Sequence, residues 1–380
     1  MSWGNPQNGI DYLKAGLFSP AAVAYGLANA ADRLSYDLGF RTRNKLPVPV
    51  ISIGNITCGG TGKTPVVIAL ARHLVGLGLK VGVLLRGYRR LSTTDITVVS
   101  DGLGNFAPVE QAGDEALVIA GAVEDAVVVA GVSRYNSGLE AIKRFDCNVF
   151  VLDDGYQHYS LARDFDVVLI DYNDEPARDL LLPSGRLREP LASLNRASQV
   201  IITKVPARFD PERLENLKLL IQNHASAASI SSCRFPAKQL SGSADDIRQS
   251  LPLSLLKGMR AVTFCGVARP EAFSEQVREL GAEVVAHRAF PDHHWYSAQD
   301  LDWLQAELTA KSARFIITTQ KDAVKVQNPT IKSKMLAIEL ETEWLTEFPQ
   351  ALKRFIEKID HNQTSSRSLQ AAGTTRYQET

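Results

Sequence analysis

The stretch from Val50 to Leu70 constrains the fold of this chain more than any other segment. A β-branched apolar run is followed by three closely spaced glycines, by Lys63 and Thr64, and then by apolar residues at helical spacing. Strand, glycine loop and helix in that order form the context that a phosphate-binding P-loop requires. Glycine lets backbone N–H groups converge on phosphate oxygens, and the start of the helix adds partial positive charge. The stretch therefore predicts a site for nucleotide phosphates.

Within this stretch, Lys63 is expected to reach the β- and γ-phosphates, and the Thr64 hydroxyl is expected to ligate Mg²⁺. The match to the consensus is incomplete, because the consensus has glycine at position 57 and this chain has threonine. A glycine-rich turn without a ligand is the alternative. The predicted phosphate-binding residues are Thr57, Cys58, Gly59, Gly60, Thr61, Gly62, Lys63 and Thr64.

A second informative stretch is the apolar run that ends in Asp153 and Asp154. P-loop proteins hold Mg²⁺ with a carboxylate at the end of such a strand, since this hard cation prefers oxygen ligands. A strand-end Asp can also cap a helix or close a turn. Downstream of a P-loop, the metal interpretation is favoured.

The fold class follows from the alternation of short β-branched runs with helical segments. This pattern predicts an α/β fold with a doubly wound, mostly parallel sheet and ligands beyond the carboxyl ends of its strands. The polar region 225–257 is expected to connect two domains, residues 1–235 and a smaller α/β domain 236–360. Residues 314–318 are expected to form the last strand, and the Ser-, Thr- and Gln-rich tail 361–380 is predicted to be disordered.

The N-terminal segment 15–31 carries no charge but is interrupted by Pro20, and it is shorter than a bilayer-spanning helix. We predict an amphipathic helix that starts near Ser19 and Pro20, with serine as the cap. Basic residues at 41, 43 and 45 follow, as expected of a segment on an anionic membrane surface. A helix packed on the protein's own core explains the composition equally well.

Composition narrows the choice of partners. Lys plus Arg and Asp plus Glu both number 42, so no overall positive field selects nucleic acid. The four cysteines have no metal-binding spacing, which predicts free thiols in a reducing compartment. No obligate protein partner is evident.

Several polar residues outside the two stretches are also candidates for a site. Asp114 follows glycine at the start of a predicted helix, which it could simply cap. His293 and His294 lie in a loop after a strand, but no further His or Cys stands at zinc-ligand spacing. A His or a His–Asp pair could instead accept the proton of an acceptor hydroxyl.

Four arginines lie just after strands or between elements, where a planar guanidinium group suits phosphate binding. Taken singly, each is at least as well explained by a surface salt bridge. They are Arg86, Arg134, Arg186 and Arg188.

Six segments occur together and in order: VPVISIGNITCGGTGKTP from residue 48, RGY from 86, GDE from 113, DDGYQH from 153, LREP from 187 and FPDH from 290. As a set they resemble the tetraacyldisaccharide 4′-kinase family, the lipid A kinases of Gram-negative bacteria. The likeness runs from the N-terminal helix to about residue 355, and Thr57 is what this family has in place of the first glycine. One departure is Ala116, where the family is expected to have proline.

The resemblance implies that ATP, with Mg²⁺, phosphorylates the 4′-hydroxyl of a tetraacylated glucosamine disaccharide 1-phosphate to give lipid IVA. It implies a peripheral protein on the cytoplasmic side of the bacterial inner membrane, and it favours membrane docking of residues 10–45. It also assigns roles to residues. Asp153 and Asp154 would be the acidic pair on the metal side, Asp114 and His293 would activate the acceptor, and Arg134, Arg188 and Glu189 would line the reaction centre.

Two other classes of protein remain as alternatives. A P-loop GTPase-type switch is suggested by Thr319–Asp322, which faintly resembles a guanine-binding motif, and by Thr203-Lys204, which begins such a motif but lacks its Asp. A non-enzymatic peripheral membrane protein is the other alternative, but it leaves Lys63, Thr64 and Asp153 unexplained.

Overall fold

The structure is a computed structural model that describes residues 9–88, 90, 94–244 and 247–361. Within these ranges the strands form two sheets, one of nine strands and one of six. The nine strands of the larger sheet are β1 (Val50–Asn55), β2 (Val81–Leu85), β3 (Ile96–Asp101), β4 (Val127–Gly131), β5 (Val149–Asp153), β6 (Phe165–Asp171), β7 (Gln199–Thr203), β8 (Ser229–Arg234) and β15 (Glu343–Trp344). The six of the smaller sheet are β9 (Ala237–Ala244), β10 (Ile247–Leu251), β11 (Arg260–Cys265), β12 (Glu283–Ala289), β13 (Phe315–Thr319) and β14 (Met335–Leu340).

Helices connect most of these strands. They are α1 (Gly9–Asp37), α2 (Lys63–Gly76), α3 (Val109–Ala112), α4 (Asp114–Ala122), α5 (Arg134–Phe145), α6 (Pro211–His224), α7 (Pro270–Glu279), α8 (Ala298–Ala310), α9 (Gln320–Ala323), α10 (Pro329–Lys332) and α11 (350–361).

The larger sheet has the order β15-β8-β7-β6-β1-β5-β2-β4-β3 and is parallel except at its two edges. Its central strands are buried on both faces, which is why they read as continuous apolar runs rather than as alternating ones. Ile51 and Ile53 of β1 pack in the core that contains α2 and α4, whereas Val50 packs in the core on the other face with α5. This arrangement confirms the predicted α/β class with a mostly parallel sheet.

The smaller sheet has the order β10-β9-β14-β13-β11-β12, with β11 to β14 parallel and β9 and β10 antiparallel. Strand β14 was not predicted, and residues 314–318 are therefore not the last strand. The sequence of β14 gives a reason: its apolar run MLAIEL follows α10 after only two residues. A short apolar run of this kind does not distinguish a strand from a helix.

The region 225–257 is wrong as an inter-domain connection. It contains β8, β9 and β10, and the two sheets separate between Arg234 and Ala237. Serine, glycine and glutamine are frequent in this region because β8 is half-buried and β10 is the edge strand of the smaller sheet. Polar composition therefore indicated exposure rather than a linker.

The expected second unit 236–360 also needs correction at its end. Strand β15 pairs antiparallel with β8, and Leu352, Ile356 and Ile359 of α11 are buried in the core of the larger sheet. Residues 343–344 complete the sheet edge as β15, and α11 begins only at residue 350. We call the described residues of 9–234 and 343–361 the larger body, and those of 237–342 the smaller body.

Helix α1 starts well before the predicted cap, since it runs from Gly9 to Asp37 with Pro20 inside it. An internal proline removes one backbone hydrogen bond, at a cost of about 3 kcal/mol or more. Alanines and other helix-compatible residues on both sides of Pro20 carry the helix through, so the Ser-Pro pair does not mark its start.

Three further expectations concern the chain as a whole. The tail 362–380 lies outside the described residues. All four cysteines are free thiols, as expected. Within the described ranges, every helix falls short of the length or hydrophobicity that a transmembrane span needs.

Candidate active site

The glycine-rich loop joins β1 to α2 at the carboxyl edge of the larger sheet. Gly59 and Gly62 have φ values of 116° and 83°, which side chains rarely tolerate. A Cβ on Gly62 would lie 2.2 Å from Cε2 of Phe235. Glycine at position 62 is therefore required both by the backbone and by the close packing of Phe235.

The loop is held from the neighbouring strand ends. The Thr203 hydroxyl donates to the Thr61 carbonyl at 2.7 Å, and the Lys204 ammonium donates to the Gly60 carbonyl and pairs with Asp171 at 2.8 Å. These bonds engage carbonyl oxygens of the loop. The hydrogen bonds hold the loop against the end of β7, where Thr203 is the last residue of the strand and Lys204 follows it.

Lys63, the first residue of α2, points toward polar groups at the end of the strands. Its ammonium lies 3.3 Å from Asn55 Oδ1 and 3.6 Å from Asp154 Oδ1. Arg188 Nη1 donates to both oxygens of Asp154 at 2.9 Å. Burial alone would raise the pKa of Asp154, but the charges of Lys63 and Arg188 outweigh it and hold that pKa below its usual range.

Asp153 lies beside this pair in a different environment. Its side chain is buried, and Oδ1 has no hydrogen-bond partner among the described residues. Burial, together with the nearby Glu115 carboxylate, raises the pKa of Asp153 to about 7. Thr64, the second residue of α2, is also buried. No cluster of three or more His, Cys, Asp or Glu residues forms a metal cage within the part of the chain that the structure describes.

The two bodies meet at Asp114 and His293. His293, in a left-handed conformation with φ 61°, places Nδ1 2.9 Å from Asp114 Oδ2. Asp114 opens α4, and its Oδ1 accepts the backbone N–H of Glu115 at 2.9 Å. The hydrogen bond to Asp114 raises the pKa of His293 above its usual value, although burial opposes this. The Tyr88 ring meets the imidazole edge-on at 5.6 Å.

Two lysines of the smaller body extend the contact. Lys321 of α9 pairs with Glu115 at 2.5 Å, and the buried Lys325 lies 3.7 Å from Asp114 Oδ2. Two consecutive acidic residues at the start of α4 therefore face two lysines that are four positions apart. At the start of α4 the contact between the bodies is therefore ionic, and Val324 adds an apolar contact with the core of the larger body.

Arg134 opens α5 with a buried side chain whose Nε has no hydrogen-bond partner among the described residues. Burial, and then the neighbouring Arg86, lower the pKa of Arg134 to about 10, while Asp154 and Asp153 act in the opposite direction. The Arg134 guanidinium group is thus close to the acidic pair and incompletely paired. Such a group is suited to binding an anion.

Glu189 is buried and already engaged. Arg196 Nη2 donates to both of its oxygens at 3.0 and 2.8 Å, and Gln157 donates to Oε1 at 2.8 Å and to the Asn55 carbonyl at 3.0 Å. The carboxylate therefore holds Gln157 and Arg196 in place beneath Arg188. Its expected place at the reaction centre stays a prediction.

Other candidates have structural partners. His294 pairs with Asp300 at 3.0 Å and stacks on Phe290, and Arg186 pairs with Asp174 and Asp179 at 2.8 and 3.0 Å. Asp114 is the first residue of α4, but the N-cap position is Gly113 and has no side-chain cap, so Asp114 binds His293 rather than capping the helix. Ala116, where the family is expected to have proline, is buried in a continuous α4.

The resemblance to a guanine-binding motif has a different basis. Asp322 is fully buried and accepts hydrogen bonds from the Gly266 N–H, the Tyr296 hydroxyl and the Thr319 hydroxyl. A carboxylate engaged in this way does not face a base. The Thr-Lys and Thr-Gln-Lys-Asp segments instead place Lys204 on the loop and Lys321 on Glu115.

Sequence reasoning missed several residues that the fold brings to this edge. Lys204 and Lys321 had a signal, since both lie in segments that were noted for another function. Asn55 lies at the end of β1, directly before the loop. Lys325 and Arg196 had no local signal, because their partners are distant in the sequence.

Known proteins that are similar to this chain belong to one enzyme family. Residues 15–359 match the family model described as tetraacyldisaccharide-1-P 4′-kinase, LpxK. A tetraacyldisaccharide 4′-kinase of Anaeromyxobacter dehalogenans strain 2CP-C is 39% identical over 306 residues, 80% of either chain. That of Geobacter metallireducens is 35% identical over 350 residues, covering 92% of this chain and 99% of the relative.

Among solved structures, a crystal structure of LpxK from Aquifex aeolicus in complex with ATP is similar to this fold. The TM-score is 0.73 at 30% sequence identity, and the match covers 91% of this chain and 99% of that one. The similarity therefore includes both bodies.

Proposed function

Because this chain belongs to the tetraacyldisaccharide-1-phosphate 4′-kinase family, we propose that its two bodies hold ATP and a lipid acceptor at the site built around Lys63 and His293. The enzyme is a kinase of lipid A biosynthesis that phosphorylates the 4′-hydroxyl of tetraacyldisaccharide 1-phosphate and yields lipid IVA. The observation that carries the site proposal is the contact between His293 and Asp114, which brings a titratable base from one body to the acidic cluster of the other.

The glycine-rich loop is proposed to be a P-loop for the phosphates of ATP. Its two left-handed glycines and the start of α2 supply backbone N–H groups and a partial positive charge. Lys63 would exchange its contact with Asp154 for a phosphate oxygen. Phosphoryl transfer needs alignment and charge neutralisation more than covalent chemistry from the protein, and these groups supply both.

Mg²⁺ fits the residues present. The unpartnered Oδ1 of buried Asp153 is an oxygen donor that a cation would satisfy, and Thr64 adds a hydroxyl. Mg²⁺ keeps several waters, so a site with few protein ligands is adequate. Asp154 is already held by Arg188 and Lys63, so we assign the direct contact to Asp153 and an outer position to Asp154. The ion, when bound, would neutralise charge on the phosphates.

The acceptor hydroxyl is proposed to lose its proton to His293. Asp114 holds Nδ1, which fixes the ring and leaves Nε2 as the nitrogen that receives the proton. Arg134 would stabilise the charge on the transferred phosphoryl group. Arg188 would act by orienting Asp154, and Glu189 by orienting Gln157 and Arg196.

Helix α1 is proposed to bind the cytoplasmic face of the bacterial inner membrane. Val23, Leu27 and Leu34 of α1 and Leu38 directly after it recur at helical spacing, and all four are between 45% and 67% exposed. An acyl chain resists leaving the bilayer, since each CH₂ contributes about 0.8 kcal/mol. A peripheral enzyme that comes to the membrane surface therefore reaches the substrate. No obligate protein partner enters this proposal.

The test is a lipid kinase assay with purified protein, Mg²⁺, radiolabelled ATP and tetraacyldisaccharide 1-phosphate in mixed micelles. We expect a labelled bisphosphorylated lipid with ATP and little with GTP. Lys63→Ala should abolish labelling, whereas Lys80→Ala, an exposed lysine paired with Asp146, should retain it. Labelling that survives Lys63→Ala, or that requires no lipid, would contradict the proposal.

A further inference from the structure

Lys325 is a buried cation at the junction of the two bodies. Its side chain is 2% exposed, and its ammonium lies 3.0 Å from Asp322 Oδ1 and 3.7 Å from Asp114 Oδ2. None of these contacts has hydrogen-bond geometry. A lysine ammonium is strongly hydrated and is seldom buried without full pairing. Its presence here calls for a function that a neutral side chain could not provide.

Asp322 has three neutral donors besides this cation. It already accepts hydrogen bonds from the Gly266 N–H at 2.9 Å and from the hydroxyls of Tyr296 and Thr319 at 2.7 Å each. Three donors satisfy most of the acceptor capacity of a carboxylate. Asp114 has fewer partners, namely His293 and the Glu115 N–H. Of the two carboxylates, Asp114 therefore depends more on Lys325.

On the basis of the proposed function, we propose that Lys325 is a positioning residue for the Asp114–His293 pair. Its charge keeps Asp114 ionised and turned toward Nδ1 of His293. When the acceptor oxygen forms its bond to the γ-phosphorus, the bond from that phosphorus to the β–γ bridging oxygen breaks and ADP leaves. The hydroxyl proton passes to Nε2. The Nδ1 proton remains on the imidazole ring and hydrogen-bonded to Asp114, so protons and charge balance.

Other charges face the pair from every side. Asp292 Oδ2 lies 3.8 Å from His293 Nε2 and favours the protonated ring. Lys321 disfavours it but is paired with Glu115, and Tyr88 contributes a neutral ring. The side chain of Lys325 is 2% exposed and that of Lys321 is 31% exposed, so solvent and salt screen the charge of Lys325 less.

The test is the pH dependence of kcat in the purified full-length enzyme. Lys325→Met removes the charge at similar length, so protonation of the pair becomes easier. We expect the acid limb of kcat to move up by about one pH unit, a loss of about tenfold below that limb. The KM for ATP should change little, and Lys325→Arg should keep the wild-type limb. An unmoved limb in Lys325→Met would overturn the proposal.

A second pair of variants separates positioning from folding. In Lys325→Met/Asp322→Asn both charges of the buried pair are removed, so the melting temperature should recover. The limb should return only part of the way, because the charge of Lys325 lies 3.7 Å from Asp114 Oδ2 and is not replaced. Full recovery of both would mean that Lys325 serves only Asp322. Asp322→Asn alone leaves Lys325 less neutralised and should move the limb to lower pH, which tests the idea even where Lys325→Met does not fold. A limb that moves up or does not move in that variant would also overturn it.

Failure of the proposed function has a different signature. If the wild type labels no lipid, or if His293→Ala keeps full kcat, the assigned chemistry is wrong. If both controls behave as expected and only the Lys325 series leaves the limb unmoved, the positioning role alone is wrong.

Discussion

His293 and Asp114 are joined by one hydrogen bond between the two bodies, and that bond defines their expected kinetics. His293→Ala should lower kcat by about 10²- to 10⁴-fold, the usual contribution of a general base, with little change in ATP affinity. Asp114→Ala should act in the same sense and non-additively with it. Single-turnover rates and equilibrium ATP binding are the measurements.

His294→Ala is the matched control, because His294 also pairs with an aspartate, Asp300, but not at the junction of the bodies. It should keep kcat within about threefold, well below the effect of losing a general base. A large loss of ATP binding in His293→Ala, or additive losses of kcat in the double variant, would contradict the prediction that the two residues act together in the chemical step.

The raised pKa of His293 makes a further prediction about stability. A histidine whose pKa is higher in the folded state stabilises the fold below its unfolded value near 6.5, and this stabilisation is lost as pH rises through the folded pKa. The stability difference between wild type and Asp114→Asn should therefore be larger at pH 6 than at pH 9. Denaturant unfolding at both pH values measures this difference in unfolding free energy. An equal difference at the two pH values would mean that Asp114 does not raise the pKa of His293.

The residues that could be predicted from the sequence are those whose role is local. Lys63 and Thr64 follow a glycine loop, and Asp153 ends an apolar strand, so their position relative to the sheet edge is set within a few residues. Lys325 could not be predicted, because its partner Asp114 is more than 200 positions away in another body. Long-range ionic contacts leave no periodic signal in one sequence.

Among the elements, the loop between β1 and α2 gives a sharp stability prediction. Gly62→Ala places a Cβ 2.2 Å from Phe235 in a left-handed conformation, so strain and overpacking both apply. Gly78→Ala has the same kind of backbone, φ 77°, but nothing within 4 Å. We expect Gly62→Ala to cost about 1 to 3 kcal/mol more than Gly78→Ala. It should also weaken ATP binding.

Free energies of unfolding and ATP titrations of the two variants provide the comparison. Phe235→Leu in the Gly62→Ala background should recover part of the excess cost, since it shortens the clashing side chain. Equal costs for the two glycine variants would mean that Phe235 moves aside freely and does not constrain the loop.

Helix α1 gives a prediction about membranes. Leu27→Glu places a charge on the exposed apolar row, at a position that is 67% exposed. We expect binding to anionic vesicles to fall by at least about tenfold, because a carboxylate replaces apolar area and is repelled. Leu219→Glu on α6, 60% exposed, is the control and should bind like wild type.

Vesicle sedimentation measures binding, and the kinase assay in detergent micelles checks that the Leu27→Glu site is intact. If both variants lose binding equally, the effect reflects overall charge rather than α1. This helix also marks a limit of local patterns. Ser19 and Pro20 form a good start signal, yet the helix begins before them, because flanking residues of high helix propensity outweigh one missing hydrogen bond.

For the molecule as a whole, the unexpected feature is the return of the chain to the larger sheet. Ile356 of α11 is buried in that core although it follows the smaller body. Ile356→Ala should therefore cost about 2 to 5 kcal/mol of unfolding free energy, and the exposed Glu357→Ala almost none. Denaturant titrations measure both. A cost below about 1 kcal/mol at Ile356 would place α11 outside the core.

The fold class followed from patterns along the sequence. The return did not, because a two-residue strand such as Glu343–Trp344 is recognised only by its pairing with β8. The helical pattern of residues 350–359 is the same whichever core it packs against. Periodicity predicts that the apolar face of a helix is buried, but it does not indicate which of two cores the helix packs against.

The pairing of β15 with β8 determines how the smaller body is attached. The chain leaves at Arg234 and comes back at its register partner Glu343, so both covalent links lie side by side at one margin of the larger sheet. The lysine contacts to Asp114 and Glu115 lie toward the opposite margin, where α4 covers β3 and β4. The smaller body is thus attached covalently at one margin of the larger sheet and by ion pairs at the opposite margin. Added salt would weaken the partly exposed Lys321–Glu115 pair more than the buried contact of Lys325, and it would leave the two covalent links unaffected.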